Sequence, residues 1–389
     1  MKLVIVTNIL TPYRLPLFEE FARSTKECTV LLQADREENR QWQLRDVTFK
    51  AEVLPGFHFR PPGAEVAVHV NNGVLKRLRR LQPDVVLSGG FASANIAAYI
   101  YCKLFGKRYV QWGEFTLHDG AGRSSLRRSL RRLLIRGADG CIASSKAAQD
   151  AFVYYGADVH SILTASMPFN VEALHEQVRV YREQFRTNPI HAQYPGPVLL
   201  SIGQLIPRKG FDELFAIYRE IVGTRPETTL LLVGDGPCRQ AYEKFVRSEH
   251  WPHVSFLGHL KEDELARSLA HADVFVFPTR YDAYGLVLGE AMAAELPVVS
   301  SIHAAATHDL VEEGVTGFRI DPSDVATTAG KILDVLALSD KQRQSIGQAA
   351  YIRVRSCDTE PTADRMIRFL RTVVYSMPTK EEGFARSFE

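Results

Sequence analysis

The sequence contains few cysteines, and their arrangement excludes two classes of site. Five cysteines occur in 389 residues, an odd number spread widely along the chain, and no two are spaced C-x-x-C. A disulfide framework needs paired cysteines, and a structural zinc site needs them clustered. The pattern therefore predicts a reducing compartment and a cytoplasmic protein.

Long apolar runs and Asp-x-Asp sequences are also missing. The longest apolar runs, such as residues 96–102, are much shorter than a membrane span. Residues 1–8 turn polar too early for a secretory signal and are typical of a buried first strand. Because there is neither an Asp-x-Asp sequence nor a His/Cys cluster, we expect no metal ion that bridges phosphates.

Charge is nearly balanced overall but unevenly distributed. The net charge is +2, yet residues 1–175 hold 23 Lys and Arg against 16 Asp and Glu, and the remainder holds 24 against 29. The N-terminal excess lies in two clusters: Lys76, Arg77, Arg79 and Arg80, then Arg123, Arg127, Arg128, Arg131, Arg132 and Arg136. Leucines at helical spacing make the second cluster a basic amphipathic helix. Such a helix is typical of contact with anionic lipid or with a phosphorylated acceptor, or of a solvated helix back. Aromatics do not interleave either cluster, which disfavours nucleic acid.

Strand and helix signals alternate in both halves of the chain, and the pattern restarts after residues 195–197. This rhythm predicts an α/β protein with two doubly wound Rossmann-like domains. Ligands of such sheets bind at the carboxyl ends of the strands, so a cleft between the domains is the expected site. The predicted divisions are an N-terminal domain at 1–175, a linker at 176–196, a C-terminal domain at 197–358, a helix at 359–377 that crosses back to the first domain, and a tail at 378–389.

Residues 280–300 hold the most informative pattern. A strand ends at Pro278, Asp282 follows in a loop, and a helix that begins near Gly285 carries Glu290. A helix N-terminus offers unpaired N–H groups and the positive end of its dipole to an anion. The two carboxylates and this helix start could together hold a sugar, a phosphate and a ribose.

Three other strand ends carry candidate ligand contacts. Residues 201–210 place Arg208 and Lys209 at a helix start, where cations could neutralise a diphosphate. Residues 234–237 and 256–259 form two further turns, and each by itself is also typical of a simple tight turn or a surface histidine. Neither G-x-G-x-x-G nor a Walker lysine occurs, which disfavours nicotinamide and nucleoside triphosphates.

Together these segments resemble the donor half of glycosyltransferase family 4, a retaining family of GT-B fold. The matching positions are Gly203 with Lys209-Gly210, the turns at 234–237 and 256–258, the Asp282-x7-Glu290 pair with 297–299, and Gly314 with Gly317. The resemblance implies that Lys209 binds the donor diphosphate and Glu290 the ribose, while Asp282 and the backbone after it contact sugar and phosphate. The predicted donor-binding residues are Gly203, Gln204, Arg208, Lys209, Gly234, Gly258, His259, Leu260, Tyr284, Gly285, Leu286 and Glu290, and Lys209 and Asp282 are also predicted to be catalytic.

The sequence departs from the family pattern in ways that bear on donor choice. Gln204 stands where the family usually has arginine, so either Arg208 supplies the second cation or the site is less basic. Asp282 is one methylene shorter than the usual glutamate, and Tyr284 replaces a common phenylalanine. A small-residue and acid pair after the strand at 297–299 takes the form of three alanines and Asp309.

The N-terminal half gives weaker signals. Residues Thr11, Pro12, Tyr13 and Arg14 resemble a first-loop variant of bacterial surface-sugar transferases, and together with Gly89 and Gly90 they are predicted to lie on the acceptor side. Many family members place a histidine against the transferred sugar in the region of residues 111–118. Glu114 and His118 are the candidate catalytic residues for that place, and the choice between them is open.

The resemblance implies a retaining, metal-independent glycosyltransferase that uses no cofactor. Its donor would be a UDP- or GDP-linked sugar, and its acceptor a glycan or glycolipid in cell-surface polysaccharide or lipopolysaccharide synthesis. The basic N-terminal half predicts peripheral contact with the inner, anionic face of a membrane. A soluble small-molecule acceptor, a sugar-nucleotide epimerase of the same fold and a non-catalytic subunit are the alternatives. The donor base and sugar, the acceptor, the linkage and the oligomeric state are left open.

Overall fold

The computed structural model describes residues 1–36, 46–59, 68–118, 124–187 and 194–375. The chain forms two compact units, one made of residues 1–169 and the chain from Cys357 onward, the other of residues 170–356. The predicted tail at 378–389 and the basic residue Arg123 lie outside the described residues.

The described strands and helices alternate along the chain. In the first unit the strands are β1 Lys2–Thr7, β2 Glu27–Leu32, β3 Lys50–Val53, β4 Gly56–Phe59, β5 Val68–Asn71, β6 Val85–Gly89, β7 Arg108–Gly113, β8 Gly140–Ala143 and β9 Ile162–Thr164. Its helices up to residue 169 are α1 Leu15–Ser24, α2 Val74–Leu81, α3 Ser93–Leu104, α4 Ser125–Gly137 and α5 Lys146–Tyr154.

The second unit repeats the alternation. Its strands are β10 Val198–Ile202, β11 Thr229–Val233, β12 Val254–Gly258, β13 Val274–Phe277, β14 Val298–Ser301 and β15 Phe318–Ile320. Its helices are α6 Val171–Thr187, α7 Phe211–Thr224, α8 Arg239–Ser248, α9 Glu262–His271, α10 Leu286–Ala293, α11 Ala305–Leu310, α12 Val325–Ala337 and α13 Asp340–Val354. The last described helix, α14 Thr359–Tyr375, belongs to the first unit.

The first unit is built on a parallel sheet in the order β3-β2-β1-β6-β7-β8-β9. Alternate residues of β1 enter two different cores, as expected when both faces of a parallel sheet are covered. Leu3 and Ile5 pack with α1 and α14, whereas Val4 and Val6 pack with α2 and α3. Because the sheet is parallel, the carboxyl ends of all its strands lie at the same edge.

The second unit has a parallel sheet in the order β12-β11-β10-β13-β14-β15. The strand order reverses direction at β10, which pairs with β11 on one side and β13 on the other. In sheets of this kind the crevice for a ligand forms at the carboxyl ends beside such a switch point. The two parallel α/β sheets confirm the predicted fold class.

The boundary between the units differs from the predicted one. It lies between Phe169 and Asn170 instead of at residue 175, and residues 176–187 of the expected linker are helical. The reason is that α6 packs against α9 and α10 and buries Val171 and Val178 within the second unit. Residues 188–193 of the expected linker lie outside the described residues.

The basic amphipathic helix is present as α4, but its faces differ from the prediction. Leu134 and Ile135 are buried as expected, whereas Leu126 and Leu133 are 78% and 58% exposed. Arg131 points inward, and its guanidinium lies 4.8–5.6 Å from the ring centroids of three aromatic side chains, Phe91, Phe115 and Tyr155. Cation–π contacts of this kind can hold a buried arginine, so Arg131 does not belong to the exposed basic surface.

The strands β4 and β5 form an antiparallel hairpin that the sequence pattern did not predict. Its strands are only four residues long and mostly exposed, so the apolar signal of a buried strand is missing.

Within the part of the chain that the structure describes, no helix is long and apolar enough to cross a membrane.

Candidate active site

The strand-end glycines of the second unit lie side by side. The Gly203 N–H donates to the Val233 carbonyl at 2.9 Å, and the Gly234 N–H donates to the Gly258 carbonyl at 2.7 Å. Gly234 has φ +131°, and a Cβ there would lie 1.9 Å from the Gly203 carbonyl oxygen. The carboxyl ends of β10, β11 and β12 can approach this closely only because the residue between them has no side chain.

Lys209 and Asp282 meet, although 73 residues separate them. The Lys209 ammonium forms an ion pair with the Asp282 carboxylate, and the two side chains are only 15% and 14% exposed. The ammonium also lies 5.6 Å from the centroid of the Phe277 ring, at the end of β13. The structure thus brings together a cation and a carboxylate predicted to contact the donor.

The loop that carries Asp282 is fixed by the backbone of the following strand–helix connection. The Asp282 N–H donates to the His303 carbonyl at 3.1 Å, and the Ala305 N–H donates back to the Asp282 carbonyl at 3.2 Å. The Ala306 N–H donates to the Tyr284 carbonyl at 2.9 Å. Two of the three alanines that the sequence places after the 297–299 strand, Ala305 and Ala306, therefore hold the loop through their N–H groups.

The N-terminus of α10 opens directly after this loop. Gly285 precedes Leu286 with φ +99°, and no side chain caps the helix start. A Cβ on Gly285 would lie 2.8 Å from the Phe277 ring, so glycine allows the chain to turn against that ring. A helix start without a side-chain cap offers its first N–H groups to an anion, apart from that of Leu288, which donates to the Gly285 carbonyl at 3.0 Å.

Arg208 contributes to the same loop. Its guanidinium donates to the Tyr281 carbonyl at 2.8 Å, and its own carbonyl accepts from the Arg280 N–H at 2.9 Å. These bonds join the turn before α7 to the loop before α10. Gln204 is half-buried between Gly203 and Leu205, whose N–H donates to the Asp235 carbonyl at 2.9 Å.

Glu290 lies in the second turn of α10 and has an unusual titration. Burial, with a smaller contribution from the nearby Glu262 carboxylate, raises its pKa to about 7. A carboxylate in surroundings that raise its pKa is a candidate for a functional group. Ribose hydroxyls could donate to its oxygens and favour the ionised form.

The raised pKa makes a prediction about stability and pH. Between pH about 4.5 and about 7 the folded protein holds a proton on Glu290 that the unfolded chain releases, so the stability from this group falls as pH rises through that window. Glu290→Gln removes the penalty of ionisation, and we expect it to raise the free energy of unfolding at pH 8 by on the order of 2 kcal/mol. Urea unfolding of both proteins from pH 4.5 to pH 8 measures this. If the two proteins differed in free energy of unfolding by the same amount at pH 4.5 and at pH 8, the raised pKa of Glu290 would be contradicted.

His259 and Leu260 follow the end of β12. His259 is exposed and Leu260 half-buried, directly after Gly258 at φ +73°. Beside them lies Arg239, which sequence reasoning missed: a Cβ on Gly258 would be 3.2 Å from its guanidinium. Arg239 pairs with Asp235 and with Glu243. Asp235, Arg239 and Glu243 are spaced four residues apart in the sequence, and this spacing could have predicted the ion pairs of Arg239.

In the first unit, Arg14 and Glu114 form an ion pair. The Arg14 guanidinium also donates to the Thr7 hydroxyl at 3.2 Å and lies 4.8 Å from the centroid of the Trp112 ring. Although burial alone would lower it, the pKa of Arg14 is raised because the Glu114 and Tyr13 charges outweigh that effect. These residues come from the carboxyl ends of β1 and β7, so two separately predicted segments meet there.

The other predicted acceptor-side residues directly precede Arg14 in the chain or lie at the end of β6, the strand between β1 and β7. Pro12, Tyr13 and Arg14 form a short 3-10 turn, and the preceding Thr11 hydroxyl is buried with no hydrogen-bond partner among the described residues. Gly89 ends β6 and Gly90 follows it, and the Gly90 carbonyl accepts from the Gln111 side chain at 2.9 Å. A buried polar atom without a partner is a natural contact for a ligand.

His118 is not part of the Arg14–Glu114 cluster. Its N–H donates to the Thr116 hydroxyl at 3.2 Å, and its side chain is exposed. The structure therefore places Glu114 at a charged, half-buried cluster and His118 on an exposed surface. The position of Glu114 is also fixed by the next residue, Phe115. The centroid of the Phe115 ring lies 4.8 Å from the Arg131 guanidinium.

Within the described ranges, no group of three or more His, Cys, Asp or Glu side chains is arranged to hold a metal ion.

Comparison with known proteins places these residues in a family context. The profile of the family described as glycosyl transferases group 1 matches residues 185–353, which include Lys209, Asp282 and Glu290. The matched stretch covers most of the second unit.

Two curated relatives are similar to parts of this chain. The sulfoquinovosyl transferase SQD2 of Arabidopsis thaliana is 30% identical over 227 residues, which are 57% of this chain and 42% of that protein. A GDP-mannose-dependent monoacylated alpha-(1-6)-phosphatidylinositol monomannoside mannosyltransferase of Corynebacterium glutamicum is 30% identical over 147 residues, 36% of this chain and 38% of that protein. The chain thus spans about two-fifths of the length of the curated relatives that it matches.

A solved structure extends the similarity of fold to nearly the whole chain. HepE of Anabaena, in complex with UDP and glucose, superposes with a TM-score of 0.72 at 20% identity and covers 96% of this chain and all of that one. Residues 185–353 are therefore similar in sequence to the group 1 glycosyl transferases, and the chain has the GT-B fold, with two Rossmann-like domains.

Proposed function

We propose that this protein is a retaining, metal-independent glycosyltransferase of family 4. It would move a sugar from a UDP- or GDP-linked donor to a hydroxyl of a glycan or glycolipid in cell-surface polysaccharide or lipopolysaccharide synthesis. The observation that carries the proposal is the cluster of Lys209, Asp282 and the uncapped start of α10, which lies within the segment matched by the glycosyl transferase profile.

The cluster has the electrostatic parts that departure of a diphosphate requires. When the bond between sugar and phosphate breaks, negative charge grows on the diphosphate oxygen. The Lys209 ammonium and the N–H groups of α10 can stabilise that charge without moving far. Asp282 neutralises Lys209 in this structure. The donor phosphate would take over the ammonium, and the Asp282 carboxylate could then accept a hydrogen bond from a sugar hydroxyl.

The proposed reaction is a front-face substitution. The bond between the anomeric carbon and the phosphate oxygen breaks with its electron pair left on the diphosphate. The acceptor oxygen then forms its bond on the same face of the oxocarbenium-like sugar, and its proton passes to the departing phosphate oxygen. No side chain acts as a nucleophile in this scheme, and it needs no cofactor.

The first unit would supply the acceptor side. The Arg14–Glu114 pair and the unpartnered Thr11 hydroxyl give polar groups of both signs at one sheet edge. Glu114, held by Arg14, is the residue that we place against the transferred sugar. A glycolipid acceptor agrees with the name of the mannosyltransferase relative, which includes phosphatidylinositol monomannoside. A cytoplasmic position at the inner face of the membrane follows from this choice.

Donor binding tests the proposal through thermal stability. We expect UDP or GDP to raise the melting temperature, because a ligand at a hundredfold excess over its Kd adds about 3 kcal/mol of stability. UDP is tested first because HepE was solved with UDP. GDP and TDP are tested after it. Glu290→Ala should weaken the shift, since the ribose loses its carboxylate. Thermal-shift titration of each nucleotide measures both.

Asp334→Ala is the matched control, because Asp334 is an exposed acid on α12 of the same unit. It should keep the full nucleotide-induced shift. A wild-type protein that none of the nucleotides stabilises, or an unchanged shift in Glu290→Ala, would overturn the donor site proposed here.

A further inference from the structure

The hairpin of β4 and β5 presents an apolar face to solvent. Phe57 pairs with Val70 and Phe59 pairs with Val68, so all four side chains lie on one side of the two-stranded ribbon. Phe57 and Phe59 are 61% and 51% exposed, and the two valines are each 38% exposed. Such a contiguous group of exposed apolar side chains usually marks an interaction surface.

The opposite side of the ribbon is held against the protein. His69 is buried, and its Nδ1 lies 3.0 Å from Nδ1 of His58 on the neighbouring strand. The His69 carbonyl accepts from the Ser93 hydroxyl at 3.4 Å. Because side chains alternate between the two sides of a strand, burial of His69 fixes the phenylalanines outward.

The base of the hairpin lies at the carboxyl edge of the sheet in the first unit. The Asn71 side chain donates to the carbonyl of Gln33, the residue directly after β2, at 2.7 Å. The backbone N–H of Asn71 donates to the hydroxyl of Ser93, the first residue of α3, at 3.0 Å. The Thr7 and Glu114 strand ends share this edge, since the whole sheet is parallel. The apolar face therefore belongs to the edge at which the acceptor is proposed to bind.

The helix that follows the hairpin carries positive charge without any acid. Residues 68–82 contain Lys76, Arg77, Arg79 and Arg80 and no Asp or Glu. Val74 and Leu78 of α2 are buried, so Leu75, Lys76, Arg79 and Arg80 are turned to solvent. Arg77 and Arg80 reach Glu52, at 3.2 and 2.7 Å, which leaves a local excess of cations.

An apolar surface beside a cationic helix is complementary to one chemistry in particular. Anionic phospholipid headgroups attract the lysine and arginine side chains, and the interface below them accepts aromatic and branched side chains. At the C-terminal ends of α2 and α3, Leu104 and the following Phe105 are also exposed, and the Arg79 guanidinium lies 5.0 Å from the centroid of the Phe105 ring.

We propose that the outward face of the β4–β5 hairpin, with the solvent-facing side of α2, docks the first unit on an anionic phospholipid surface. Phe57 and Phe59 enter the headgroup region, while Lys76 and Arg79 contact the lipid phosphates. This rests on the proposed function, and it deepens that function by bringing the acceptor edge of the sheet to the surface where a lipid-linked acceptor is found.

Vesicle sedimentation of the full chain tests the surface. We expect the wild-type protein to bind phosphatidylcholine vesicles that contain phosphatidylglycerol, and Phe57→Ser with Phe59→Ser to weaken this binding by about tenfold or more. Lys76→Ser should weaken binding less and mainly at low salt. Ile352→Ser is the matched control, because Ile352 is 62% exposed in the other unit. It should bind like the wild type.

The outcomes separate this surface from the donor site. The hairpin variant should keep its melting temperature and its nucleotide-induced shift, because it leaves the second unit unchanged. Wild-type binding to anionic vesicles in the double variant would overturn the proposal, as would absence of vesicle binding in the wild type. A dimer that forms in solution and dissociates in the double variant would also overturn it, since a second copy would then cover the face.

Discussion

Lys209→Ala will reduce sugar transfer by at least about a hundredfold. Lys209 is the cation that contacts Asp282 beside the start of α10, where the leaving diphosphate is proposed to lie. Its charge stabilises the departing group more than the ground state, so the loss should appear mainly in kcat. Steady-state kinetics with the donor identified by the nucleotide titrations measures the effect.

Removing Lys209 also leaves Asp282 without its cation, so folding must be checked separately. Circular dichroism and melting temperature should show an intact protein, because the ion pair is still partly open to solvent. Lys244→Ala removes an exposed lysine from α8 of the same unit and should keep wild-type turnover. A Lys209→Ala enzyme with wild-type kcat would refute the role of this cation.

The second large effect concerns the backbone at the strand ends. Gly234→Ala should destabilise the second unit by on the order of 3 kcal/mol or more. Its φ of +131° strains any residue with a side chain, and the added Cβ would lie 1.9 Å from the Gly203 carbonyl oxygen. To relieve that overlap the ends of β10 and β11 must separate, which would also disturb the loop that holds Gln204. Chemical denaturation monitored by fluorescence measures the loss.

Gly330→Ala is the control for this substitution. Gly330 lies inside α12, and a Cβ there would meet no atom within 4 Å. Alanine should therefore stabilise the protein by about 0.5–1 kcal/mol through helix propensity. If the two alanine variants had equal stability, the close approach of the strand ends would not be the constraint described here.

The sequence predicted the fold well because its signals are local. Many of the buried strands are short apolar runs followed by glycine, proline or serine, as for the strand predicted to end at Pro278 and observed as β13 Val274–Phe277. The hairpin was missed because its exposed residues do not form a buried run. The domain boundary was misplaced because α6 is polar for most of its length and resembles a linker.

The contacts of the candidate site needed the structure. Residue types at strand ends predicted which side chains matter, but a pairing such as Lys209 with Asp282 depends on tertiary folding across 73 residues. The same holds for Arg14 with Glu114, which are 100 residues apart. That these residues bind donor and acceptor stays a prediction.

Arg131 shows the limit of reading charge from sequence. Six arginines in residues 123–136 suggested a single basic face, and helical spacing alone could not tell which of them turns inward. The aromatic residues that surround Arg131 come from three separate segments, at Phe91, Phe115 and Tyr155. No local pattern in the sequence could have revealed that cage.

A crystal structure with bound nucleotide tests the central claim most directly. Soaking with the nucleotide that gives the largest thermal shift should place its diphosphate within hydrogen-bond distance of the Lys209 ammonium and the first N–H groups of α10. Its ribose hydroxyls should donate to the Glu290 carboxylate. Nucleotide bound elsewhere on the chain, with Lys209 still paired to Asp282 and Glu290 without a ligand contact, would contradict the account.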